Sequence, residues 1–172
     1  MKKNKSGKFS GPARREGFTL IELLITVSII ALLSTFVFIA VSGSGSKARD
    51  AKRKAEVSDI GKVFVLSCYI PVAGPGIYDI GQLYPELIQK YPKISDYVAQ
   101  VPHDPNGNNS STLYMYSVNA AKKCAVYANL ENNNEPVTLP GASQPGPGGG
   151  TGVLDAGATG WNGSSRYFQV AN

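Results

Sequence analysis

Between Gly17 and Val41 the chain carries one ionisable side chain, Glu22. From Leu20 to Val41 its only other polar groups are the hydroxyls of Thr26, Ser28, Ser34 and Thr35. Hydroxyls of this kind bond back to helical carbonyls. A carboxylate in lipid costs roughly 2.5–3.5 kcal/mol on insertion scales and calls for a partner. The sequence offers a cationic one. If the chain is cut after Gly17, Phe18 gains an α-amino group, which in free peptides titrates at about 7.7–8.0. Glu22 is then the fifth residue of the shortened chain, one helical turn from that amine. Two plainer readings compete. Basic residues ahead of an apolar run also mark an uncleaved signal anchor, and a Glu in a first turn can merely complement the helix dipole. A secretory signal peptide fits less well, because its cleavage site should follow the apolar stretch.

The elements that must hold these groups follow from the same stretch. At about 1.5 Å per residue, a helix from Leu20 to Val41 crosses a hydrocarbon core of about 30 Å. Ahead of it, residues 1–17 form a leader with Lys2, Lys3, Lys5, Lys8, Arg14 and Arg15 against Glu16. The segment Gly17-Phe18-Thr19-Leu20-Ile21-Glu22-Leu23-Leu24 resembles the type IV prepilin and pseudopilin family. That resemblance implies cleavage after Gly17 by a membrane-embedded prepilin peptidase and N-methylation of Phe18. It further implies that Glu22 meets the amine of a neighbouring subunit in a filament. No catalytic residue is expected.

Charge divides at the same point. The whole chain is +5, and the leader alone supplies all of it, because the remaining residues hold 11 basic and 11 acidic side chains. A basic leader favours the cytoplasmic side and lies readily against anionic lipid. Lys47, Arg49, Lys52, Arg53 and Lys54 flank the other end of the helix and nearly balance this count. The leader and the two cysteines then decide for an outside C-terminal region. The expected location is the bacterial cytoplasmic membrane as a single-pass protein, then a filament at the cell surface or in the periplasm.

Beyond Val41, Ser42-Gly43-Ser44-Gly45-Ser46 has poor helix propensity and reads either as the end of the membrane helix or as a soft joint. Residues 42–67 resume helical spacing, with Ala48, Ala51 and Ala55 continuing into Ile60, Val63, Phe64 and Ser67. Residues 68–172 form the extracytoplasmic domain. Short helices fit near Pro85–Tyr91, with Pro85 at a first helical position, and near Ile94–Gln100. Strands are expected over Leu113–Val118, Cys124–Leu130 and Arg166–Ala171. Residues 141–152, rich in Gly and Pro, read as a mobile surface loop. The fold class is α+β: a long N-terminal helix, membrane-spanning in its first half, on a three- to four-stranded antiparallel sheet. Asp104-Pro105 and Tyr114-Met115-Tyr116 resemble the second half of secretion pseudopilins and of many pilins, so the likeness spans residues 1–130 and, less clearly, the last strand.

Three further groups could do chemistry. Cys68 and Cys124, placed outside the cytoplasm, are expected to pair, the alternative being two buried thiols. Asp104, Asn106 and Asn108 have the alternate-oxygen spacing of a calcium loop, but Asn109 and Met115 replace its Gly and closing Glu. An Asx-rich turn is the ordinary reading, although the resemblance to secretion pseudopilins keeps calcium as the one cofactor candidate. His103 stands alone among prolines, with no nucleophile or metal-ligand set around it. The run Lys47–Lys54 lacks aromatic interleaving and sits in a charge-neutral chain, so DNA is not an expected partner. A membrane-proximal face, solvated or bridged to acidic neighbours within a filament, explains it.

The function implied is a structural subunit polymerised into a pilus through its N-terminal helix, with prepilin peptidase, like subunits, an assembly ATPase and its platform, and membrane lipid as partners. A type II secretion pseudopilin and a DNA- or surface-binding minor pilin are the alternatives.

Overall fold

The computed structural model describes residues 17–41, 43–93, 101–107 and 111–172. The leader before Gly17, Ser42, the helix expected over Ile94–Gln100, and Asn108 lie outside the described residues. Two units result, Met1–Ser42 and Gly43–Asn172.

The first unit holds helix α1, Leu20–Val41. It has neither Gly nor Pro, and its hydroxyls are absorbed locally: Thr26 donates to the Leu23 carbonyl, Ser28 to Leu24, Ser34 to Ile30 and Thr35 to Leu32. Its mean hydropathy reaches 2.4 over Leu20–Val37. The large apolar side chains from Leu20 to Val37 are exposed all round, from 51% at Ile25 to 82% at Leu20. A helix apolar on every side needs lipid or other helices around it.

The second unit opens at Gly43, whose φ of +87° caps helix α2, Ser44–Ser67. An L side chain is strained at that angle, so the glycine lets the chain turn into the new helix. The buried side of α2 is Asp50, Arg53, Val57, Ile60, Gly61 and Phe64, a 3–4 spacing that Cys68 completes. This corrects the expected face in the first half of the helix. Ala48, Ala51 and Ala55 are exposed, and two charged residues take the inner side. The reason is that Asp50 and Arg53 find buried partners on the domain, described below.

After α2 come β1 (Gly76–Asp79), α3 (Ile80–Lys90), β2 (Met115–Val118), β3 (Cys124–Asn129), β4 (Gly152–Asp155) and β5 (Arg166–Ala171). The strands make one sheet in the order β1-β2-β3-β5-β4, and every neighbouring pair is antiparallel. Helix α2 lies against β3 and β5. Between helix and sheet sits the core of Val57, Ile60, Phe64, Tyr116, Val126 and Ala128, with Phe168 and Val170 packed on it. Burying each large apolar side chain stabilises the fold by about 1.5–3 kcal/mol. The closest approach is at Gly61, where an added Cβ would lie 2.7 Å from Val170 Cγ1.

Strand alternation turns Ala125, Tyr127, Asn129 and Gln169 to the face opposite α2, yet these too are buried. The loops cover them. The Gln169 amide accepts from Gly146 N–H at 3.0 Å and donates to the Gly150 carbonyl at 3.0 Å. The Gly/Pro-rich segment, expected to stand free as a surface loop, is therefore tied onto the sheet by one buried side chain.

The sheet has five strands, not three or four. Strand β1 reads as turn in the sequence because Gly74, Pro75 and Gly76 lead into it; it pairs Gly76 with Val118 and Asp79 with Met115. Strand β4 follows directly on the Gly-rich loop and is only four residues long, too short for alternation to register. Helix α3 starts at Ile80 because Asp79 caps it, accepting from Gly81 N–H at 2.8 Å. Pro85 therefore lies inside the helix, where it forfeits one backbone bond.

Candidate functional site

The segment carrying the cleavage and assembly candidates is open to its surroundings. Among the described residues nothing lies within 4 Å of a Cβ added at Gly17, and Phe18 is 80% exposed. Glu22 is not left without donors. One carboxylate oxygen accepts from the Thr19 N–H at 3.0 Å and from the Thr19 hydroxyl at 2.8 Å. The Glu22 N–H returns a bond to the Thr19 hydroxyl at 3.3 Å. This is a reciprocal capping box at the start of α1. Sequence reasoning assigns Thr19 no role, although its offset of three from Glu22 is the pattern by which such a box is found. The two bonds to the carboxylate come from neutral donors. They orient the carboxylate without neutralising it.

A second concentration of charge lies in the Gly43–Asn172 unit. Arg53 is fully buried. Its Nε and Nη2 each reach an oxygen of Asp104 at 2.7 Å, and its Nη1 reaches Asp50 and Glu131, both at 2.7 Å. Arg49 holds Glu131 from the other side through Nε at 2.8 Å and Nη2 at 2.6 Å. Asp50 also accepts the backbone N–H groups of Glu131 and Asn132. Asp104 accepts from Asn106 N–H and from the Asn162 amide. The network ties α2 to the segments around residues 104, 131 and 162.

The charge states follow. The Arg49 hydrogen bond, reinforced by Arg53 and opposed by partial burial, holds the Glu131 carboxyl down at about 2. Burial pushes Asp104 upward, but the Arg53, Asn106 and Asn162 bonds outweigh it and its pKa is lowered. Burial likewise opposes the Arg53 cation, and its three carboxylate partners overcome that, raising its pKa.

Two of the calcium candidates, Asp104 and Asn106, are engaged within the protein. Both oxygens of Asp104 are occupied by the guanidinium of Arg53, and the Asn106 amide nitrogen donates to Glu131 and Asn162. A metal there would have to displace a buried cation. Four residues of the basic run pair within the chain: Arg49 with Glu131, Lys52 with Glu56, Arg53 with Asp50 and Asp104, and Lys54 with Glu135.

Cys68 and Cys124 are joined, with Cα atoms 5.4 Å apart. The bond fastens the end of α2 to the start of β3. His103 lines a shallow cavity with Asp79, Gln82, Ser111 and Thr112. Ser111 donates directly to Asp79, and the other Asp79 oxygen takes Gly81 N–H and the Thr112 hydroxyl. No imidazole stands between serine and carboxylate, so the arrangement is a loop anchor and not a nucleophile with its base.

Residues 12–38 match the family described as the prokaryotic N-terminal methylation motif. No curated protein and no solved structure matches the chain.

Proposed function

We propose, from the type IV prepilin or pseudopilin signature that this chain carries at residues 12–38, that it is a pilin-like structural subunit that polymerises through α1. Prepilin peptidase cuts after Gly17 and methylates the amine of Phe18. The processed chain waits in the cytoplasmic membrane with the Gly43–Asn172 unit outside, and an ATP-driven machine moves it into a filament. One observation carries the reading. A single carboxylate, Glu22, stands at a fixed offset from Gly17 in the first turn of a helix that is apolar on every side. Helices of that kind associate through packing and through their few polar groups, and the unpaired charge supplies a reason for one subunit to seek the amine of the next. The role is assembly and not catalysis. Mass spectrometry of membrane fractions should find a chain beginning at methylated Phe18. An intact leader starting at Met1 in the mature pool would overturn the processing step and the assembly chemistry built on it.

A further inference from the structure

The Cys68–Cys124 bond lies under cover that the assembly reading does not require. Cys68 is 5% exposed and Cys124 0%, although one follows α2 and the other opens β3. The last turn of α2 supplies part of this cover. The Phe64 carbonyl oxygen lies 3.6 Å from Cys124 Sγ, and the Val65 carbonyl oxygen lies 3.6 Å from Cys68 Sγ. Asn172 supplies another part. It sits just past the last ladder pair of β3 and β5, Ala125 with Ala171, and is itself exposed. Its side-chain oxygen accepts from Cys124 N–H at 2.9 Å, and its amide nitrogen donates to Cys68 Sγ at 3.0 Å. Its own N–H donates to the Cys124 carbonyl at 3.3 Å. One residue thus touches both halves of the bond.

The two covers differ in how they can open. The α2 carbonyls belong to a turn whose Phe64 side chain is in the core, so they move only if the helix leaves the sheet. Asn172 hangs on its hydrogen bonds beyond the end of a ladder, where local opening takes far less free energy than global unfolding. Thiol–disulfide exchange needs a thiolate to reach one of the sulfurs. The thiolate of a dithiol bonds to that sulfur and the other cysteine leaves; the second thiol then displaces the first cysteine. Each attacking thiol gives its proton to water and each departing cysteine takes one up, so the dithiol ends oxidised and both cysteines reduced. Formation of the bond by a disulfide donor is the same sequence in reverse. We infer that Asn172 is a latch on this bond. Cys68 and Cys124 exchange with dithiols and disulfides only while the end of β5 is undocked, so a disulfide donor acts before that strand end settles.

The latch is independent of polymerisation and is testable on the full-length protein in detergent. Oxidised protein is mixed with excess dithiothreitol under native conditions, and free thiols are counted over time by alkylation and mass spectrometry. Asn172→Ala, which loses both side-chain contacts, should be reduced roughly tenfold faster than wild type, as the loss of one or two net hydrogen bonds implies. Once unfolded in guanidinium, the two proteins should be reduced at one rate. Arg53→Met, which weakens the unit from the first half of α2, separates local from global opening. It should lower the thermal transition far more than Asn172→Ala does, yet leave the native rate of reduction unchanged. Equal native rates for Asn172→Ala and wild type would overturn the latch. So would acceleration by Arg53→Met equal to or greater than that by Asn172→Ala, because the sulfurs would then be reached by unfolding the unit and not by lifting Asn172.

Discussion

Glu22 has donors before any neighbouring subunit arrives, and that changes what a filament has to offer it. Thr19 supplies two hydrogen bonds, enough to fix the carboxylate's direction, but a charge bonded to neutral groups in lipid is still a charge. A neighbour's ammonium exchanges orientation for neutralisation. Glu22→Ala removes the charge, so membrane levels and cleavage after Gly17 should match wild type. Filaments should be severely reduced, because the incoming amine is left unpaired among apolar helices at a cost of several kcal/mol per contact. Wild-type filament yield by electron microscopy would reduce Glu22 to a helix-end charge. In the second unit the decisive residue is Glu131. Its folded pKa of about 2 lies below the unfolded 4.5, so it contributes stability that is fully present above about pH 4.5. That contribution should be lost as pH falls toward 2, and the lowered Asp104 acts in the same direction. Melting temperature measured across this window should fall more steeply for wild type than for Glu131→Gln. Parallel curves would show that Glu131 titrates alike in the folded and unfolded chains.

At the scale of elements, α2 is fixed to the sheet in two unlike ways, by buried apolar side chains along its second half and by the Arg53 network along its first. Arg53→Met should cost about 3–5 kcal/mol, because it leaves Asp50 and Asp104 buried without their cation. Chemical denaturation should read that loss. The double variant Arg53→Met with Asp104→Leu should recover a large part of it, and no recovery would mean that the guanidinium packs more than it pairs. This helix also marks where sequence reading reaches its limit. The apolar run of α1 and the alternation in β3 and β5 are local signals, and they place those elements correctly. The inner side of α2 is not local. Asp50 and Arg53 can be buried only because Asp104 lies 51 residues beyond Arg53 and Glu131 81 beyond Asp50, and no window along the chain contains those partners. Small residues at Ala48, Ala51 and Ala55 look the better inner face for that reason. Strands β1 and β4 escape because each begins on a glycine and spans four residues. Of the candidate site, the Gly17, Phe18 and Glu22 offsets are readable from residue types alone, whereas Thr19 needs the cap geometry and the fate of Asp104 needs Arg53.

For the whole molecule, the disulfide has a mechanical meaning. In the proposed filament a subunit held by α1 would be loaded from its N-terminal side, and tension would pass through α2 before it reached the sheet. The Arg53 network and the core resist first, but these are noncovalent and can yield. Beyond Cys68 the force crosses directly to Cys124, so the intervening chain, a separation of 56 residues, carries no load and cannot be drawn out. At about 3.4 Å per residue this withholds roughly 190 Å of contour length. Pulled by its two ends in an optical trap, the oxidised protein should unfold to a length shorter by about that amount than the reduced one. Strands β1 and β2 and helix α3 lie inside the withheld loop, so a stretched subunit loses its long helix while that part of the domain is shielded from tension.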